Sequence, residues 1–166
     1  MTIYTENIIF LDVDGVLNSH NKLIEVYNKT HKPHSGYSYP FDEKCLENLK
    51  TIIKSTNSKI VITSTWRKTK IGINILLETL KEYNLDTEVI GYTPILNTKR
   101  ETEIKTYLNS LGYNPNFIII DDDSNFDGLN YHLIKTNQQF GLTPENVEEA
   151  ILKLSKLPVK KYSKKL

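Results

Sequence analysis

The sequence predicts an α/β protein built on a parallel sheet with helices on both faces. Short apolar runs rich in Ile and Val, such as "IIFL" at 8–11, "IVI" at 60–62 and "FIII" at 117–120, alternate with segments of helical period. That alternation marks βα units whose strands are buried on both sides. A chain of 166 residues, 39% hydrophobic and 25% charged, suits a single core. One domain over 1–166 is therefore expected, with an insertion at 18–41 and a basic tail at 158–166.

The first strand is expected over residues 7–12. After an irregular stretch, a helix over 42–55 places Leu46, Leu49, Ile52 and Ile53 on one apolar stripe, with Asp42 as its cap. A second strand, 59–63, leads to a helix over 72–83 with Ile75, Leu76 and Leu80 inward and Asn84 at its end. An extended run at 87–90 precedes a helix over 101–111, and Gly112 stands where a left-handed cap is wanted. The strand "NFIII" ends at Asp121. A weaker strand, 131–135, is followed by a last helix marked by Thr143 as cap and Pro144 at its first position.

The formal charge of +1 gives no global field for recruiting nucleic acid or an anionic membrane. No apolar stretch approaches the ~18 residues of a spanning helix and no signal-peptide pattern opens the chain, so a cytoplasmic protein is expected. The lone Cys45 reads as a buried, inert thiol in a reducing compartment. His31 and His34 lie in a Lys- and Pro-bearing stretch without Cys partners and read as solvated loop rather than a zinc site.

In open α/β sheets the ligand crevice lies beyond the carboxyl ends of the strands. There the first strand brings Asp12 and Asp14, two apart and on one face. The second brings Thr63, Ser64, Thr65, Trp66 and Arg67, and the fourth brings Asp121, Asp122 and Asp123. Like charges so close oppose folding unless neutralised. An all-oxygen ligand set without nearby Cys or His favours Mg²⁺, with a substrate phosphate completing its shell. Arg100, beside Lys99, opens a predicted helix, where the macrodipole disfavours a cation by about 0.3–1 kcal/mol, so an anion is expected nearby. Ser64 precedes a turn, where its hydroxyl and the following amides suit a phosphate oxygen.

These motifs, "IIFLDVDGVL", "KIVITS", a basic residue before "ETEI", and "FIIIDDD", resemble in order the four motifs of the haloacid dehalogenase-like phosphatase superfamily. The longer run through "KIVITSTWR", "GYTPIL" and "GLT" resembles the small phosphatase domains of bacterial RNA repair proteins, and more distantly the phosphatase half of phage polynucleotide kinase-phosphatases. The resemblance implies a Rossmann-like sheet with a minimal cap and a Mg²⁺-dependent phosphomonoesterase. Asp12 would be the nucleophile, forming an aspartyl-phosphate. Asp14 would act as general acid and then base. The metal would sit on Asp12, the Asp14 carbonyl, and Asp121 or Asp122. Ser64 and Arg100 would hold the phosphoryl oxygens, with Arg67, Thr65 and Lys99 as further substrate contacts. Thr63, Ser64 and Thr65 compete for the hydroxyl role, and Ser64 is favoured by its spacing from Lys59. Lys99 is the alternative to Arg100, and Asp123 and Asp127 compete as ligands.

The 18–41 insertion leaves room for a flap and no large cap, so the resemblance implies a bulky substrate, a terminal 3′-phosphate of RNA or DNA. Trp66 and the Tyr residues of the insertion either stack bases, or Trp66 packs into the core and the loop tyrosines face solvent. The alternatives are a 5′-nucleotidase or other small-molecule phosphatase, a receiver-like phospho-acceptor, and an inactive binding module.

Overall fold

The apolar runs become the strands of one five-stranded sheet in the computed structural model, which describes residues 6–156. The strands are β1 (Asn7–Leu11), β2 (Ser58–Ile62), β3 (Val89–Tyr92), β4 (Asn116–Asp121) and β5 (Leu133–Lys135). All pair in parallel, in the order β3-β2-β1-β4-β5. The helices are α1 (His20–Thr30), α2 (Glu43–Thr56), α3 (Lys70–Glu82), α4 (Arg100–Ser110) and α5 (Pro144–Lys156). The expected α/β sheet is present. The basic stretch 158–166 lies outside the described residues.

Strand alternation divides the core in two. Ile9, Leu11, Ile60, Ile62, Ile118 and Ile120 pack with Leu46 and Leu49 of α2, Leu76 and Leu80 of α3, and Ala150 and Leu154 of α5. Ile8, Phe10, Val61 and Ile119 face the other way, against Ile104 of α4 and the following Phe126 and Leu129. Cys45 is buried in the first of these cores, and burial pushes its thiol up to about 12, as an inert thiol requires. The strand order reverses at β1, which has β2 on one side and β4 on the other. This is the switch point where such sheets open a crevice.

The expected caps are in place: Asp42 accepts from Lys44 N, and the Thr143 hydroxyl accepts from Asn146 N. Gly112 takes its left-handed conformation at φ 70°. The insertion after β1 departs from the irregular stretch expected, because eleven of its residues form α1. Ser19 caps that helix at Lys22 N, and Glu25 pairs with Lys29 one turn on. Lys22 also reaches Glu43 of α2 at 2.7 Å. No residue of α1 is buried, so the core-facing stripe that announces a helix in sequence is missing. A bridge between Asn18 and Phe41 closes the insertion at its base. No helix among the described residues is long and apolar enough to cross a membrane.

Candidate active site

Register and alternation assemble the site before any side chain is considered. Leu11 pairs with Ile62 on one side and Ile120 on the other. The next residues, Asp12, Thr63 and Asp121, therefore stand level at the carboxyl ends of three adjacent strands. The pattern is held by Asp12 N donating to Ile120 O at 3.0 Å and Thr63 N to Leu11 O at 2.9 Å. Each lies two residues beyond a member of the α4-facing core, Phe10, Val61 and Ile119, so all three share that face. Arg100, the first residue of α4, comes down onto them. Its guanidinium meets Asp12 Oδ2 at 2.9 Å and also donates to Asp121 Oδ2.

Asp122 joins the two buried acids: one carboxylate oxygen from each of Asp12, Asp121 and Asp122 lies within 4.8 Å of the others. Burial is the main force raising the Asp12 carboxyl above its ordinary value, against the pull of Arg100. Asp121 is pushed up to about 7 by burial and by the Asp12 charge, again against Arg100. Burial works against the Arg100 charge, but Asp12 and Asp121 outweigh it and hold the guanidinium firmly cationic. With all three acids ionised, one arginine leaves them under-neutralised, and a hard divalent cation bound by oxygens suits that deficit. The donor set fits Mg²⁺. Gly15 makes the approach of Asp122 possible: it has φ +72°, and a Cβ there would lie 2.5 Å from Asp122 Oδ2. Asp123 and Asp127, weighed as alternative ligands, are exposed and lie outside the group.

Asp14 lies outside this group and is exposed. Its Oδ1 accepts from Asn18 Nδ2 at 2.8 Å and its Oδ2 from Trp66 Nε1 at 3.0 Å. A cleft of about 480 Å³ opens beside it, lined among others by Tyr37, Tyr39, Trp66, Asp122 and Gln138. Tyr37 belongs to the insertion and is fixed by a 2.5 Å hydrogen bond to the Thr69 hydroxyl at the cap of α3. The Trp66 ring is buried and meets Tyr37 and Phe41 edge-on. Of the two readings the sequence allowed for Trp66, packing into the fold is the one observed.

Two expectations from the second strand change. The Ser64 hydroxyl is buried and accepts from Trp66 N at the start of the next turn. The Thr63 hydroxyl, on the Asp12 face, is equally buried and has no hydrogen-bond partner among the described residues. A buried hydroxyl left open is costly unless something completes it, which makes Thr63 the better hydroxyl for an oxyanion. Thr65 and Arg100 line a smaller, adjoining hollow of about 230 Å³ together with Thr63.

Arg67 is not free to clamp a phosphate. Its Nε donates to Thr93 O, one terminal nitrogen to Thr63 O and Ser64 O, and the other to Pro94 O and Glu103 Oε2. Those five bonds use the donor capacity of a guanidinium. Glu103, absent from the candidates drawn from sequence, completes the knot by accepting from Leu96 N. Lys99 is exposed at the cap position of α4, while its neighbour Arg100 makes the contacts with the acids. Asn18 was also missed. Its side chain bridges Gly15 N and Asp14, a role for which a single Asn in a loop gives no signal.

Residues 8–147 match a family model described as the HAD domain in Swiss Army Knife RNA repair proteins. Among solved structures, a haloacid dehalogenase-like family hydrolase from Streptococcus pneumoniae aligns with a TM-score of 0.49 and 16% identity. The alignment covers 90% of this chain and 92% of that one. A search of curated proteins gives no significant match.

Proposed function

The chain belongs to the family of HAD domains in Swiss Army Knife RNA repair proteins, and from that premise we propose that it is a Mg²⁺-dependent phosphomonoesterase acting on terminal 3′-phosphates of nucleic acid. The observation that carries the reading is the convergence of Asp12, Asp121 and Asp122 beside Arg100 and the open hydroxyl of Thr63. Asp12, level with the strand ends, is the nucleophile. Its carboxylate oxygen forms a bond to phosphorus while the bond from phosphorus to the leaving alcohol oxygen breaks, and Asp14 gives its proton to that oxygen. Asp14 then takes a proton from the water that attacks the aspartyl-phosphate, which frees phosphate and restores Asp12. Arg100 and Thr63 hold the phosphoryl oxygens, fixed donors whose value grows with the charge they meet. Mg²⁺ held by Asp12, Asp121 and Asp122, with the Asp14 carbonyl as a further expected ligand, would supply positive charge against the substrate oxygens.

The terminal 3′-phosphate rests on two supports. The matched family takes its name from RNA repair proteins. The cleft beside Asp14 is walled by the tyrosines of a short insertion rather than covered by a separate domain, which leaves a polymer room to enter. The test is phosphate release, side by side, from 3′-phosphorylated RNA and DNA, 5′-phosphorylated oligonucleotides and mononucleotides. The 3′ ends are expected to turn over fastest with Mg²⁺. Chelation should abolish turnover and added Mg²⁺ should restore it. Preference for mononucleotides would point to a nucleotidase, and no turnover of any phosphomonoester would contradict the reading.

A further inference from the structure

The exposed carboxylate of Asp14 is held at both oxygens. Asn18 Nδ2 donates to one at 2.8 Å and the indole Nε1 of Trp66 to the other at 3.0 Å. Neither donor is free to drift. Asn18 is buried, its Oδ1 accepts from Gly15 N at 2.8 Å, and its backbone pairs with Phe41. Trp66 is buried on the turn after β2, and Tyr37 and Phe41 pack against its faces and edges with centroids at 5.1 and 5.3 Å. A tryptophan that is otherwise an apolar packing residue thus turns its one polar atom toward the one exposed acid of the first motif. The same ring is one of the points where the insertion meets the residues around Asp14.

Resting on the phosphatase reading above, we infer that Trp66 and Asn18 are positioning residues for proton transfer, aiming the Asp14 carboxyl at the leaving oxygen. As Asp14 loses its proton to the departing alcohol, negative charge grows on oxygens that already face two fixed donors. Charge-assisted hydrogen bonds of this kind strengthen as the charge develops. Tyr37 and Phe41 hold the indole in place, so the insertion acts on the acid through Trp66 rather than only walling the cleft.

Leaving groups of different basicity separate this role from a merely structural one. An alkyl phosphate needs a proton on its departing oxygen, whereas p-nitrophenyl phosphate departs without one. Trp66→Phe keeps an aromatic ring in place of the indole and removes the N–H. It is expected to lower kcat/KM for an alkyl phosphate by about 10-fold or more, part of the roughly 10²–10⁴-fold that proton-transfer catalysis contributes, while kcat/KM for p-nitrophenyl phosphate changes by less than about 3-fold. Asn18→Ser keeps an oxygen for Gly15 N–H and removes the amide donor, and it decides the matter by the same ratio if Trp66→Phe does not fold. An equal fall on both esters, or no fall on the alkyl ester, overturns the inference. A wild-type chain inactive on both esters overturns the phosphatase reading itself, and the inference with it.

Discussion

Replacing Asp12 with Asn is expected to abolish phosphatase turnover, by on the order of 10⁴-fold or more, as loss of a covalent nucleophile does. An amide cannot form the acyl-phosphate, and it is a weaker ligand in the group that Asp12 shares with Asp121 and Asp122. The fold should survive. Burial raises the Asp12 carboxyl, so its charge is a burden on the metal-free protein, and the Asp12 charge is also part of what pushes Asp121 up to about 7. Asp12→Asn removes both effects and leaves an oxygen to accept from Arg100. At neutral pH without metal, its thermal midpoint is expected to equal or exceed that of the wild type. Turnover measured beside a melting curve separates a lost nucleophile from a lost fold, and residual turnover near the wild-type rate would remove Asp12 from the mechanism.

Arg67→Ala is expected to show the opposite pattern, a loss of stability first and of activity as its consequence. The Arg67 guanidinium is buried and pairs with an equally buried Glu103 at 2.5 Å. It also ties together the backbone carbonyls of Thr63, Ser64, Thr93 and Pro94. Removing one partner of a buried ion pair strands the other charge and costs about 3–5 kcal/mol. For a domain of this size that lowers the midpoint by roughly 6–20 °C. Urea unfolding measures it directly. If Arg67 were a phosphate clamp, the variant would instead keep its stability and lose substrate affinity.

The contrast between these two residues shows what the sequence could disclose. Asp12 was legible because an acid closing a run of four apolar residues conflicts with burial, and the conflict recurs at Asp121. The three central strands, β1, β2 and β4, were legible for the same reason, since strands buried on both faces are nearly unbroken apolar runs, whereas the edge strands β3 and β5 are short and less buried. Arg67 was not legible. Its partners lie up to 36 residues away, on the loop after β3 and on α4, and only the fold shows that its donors are spent. The choice between Thr63 and Ser64 needed the register of β1 against β2, because neighbouring strand residues point to opposite faces. Spacing from Lys59 favoured Ser64, but alternation places Thr63 beside Asp12. Helix α1 escaped notice because it buries no residue, although Ser19 at its cap and the Glu25–Lys29 pair were faint local signals.

Acid quenching during turnover tests the central claim most directly. With radiolabelled substrate and Mg²⁺, the chain should carry a transient label on the peptide that contains Asp12, appearing before free phosphate and chased by unlabelled substrate. On the proposed role of Asp14 as the base for hydrolysis, the label should persist longer in Asp14→Asn. Steady release of phosphate with no label on that peptide at any time would contradict a covalent path through Asp12.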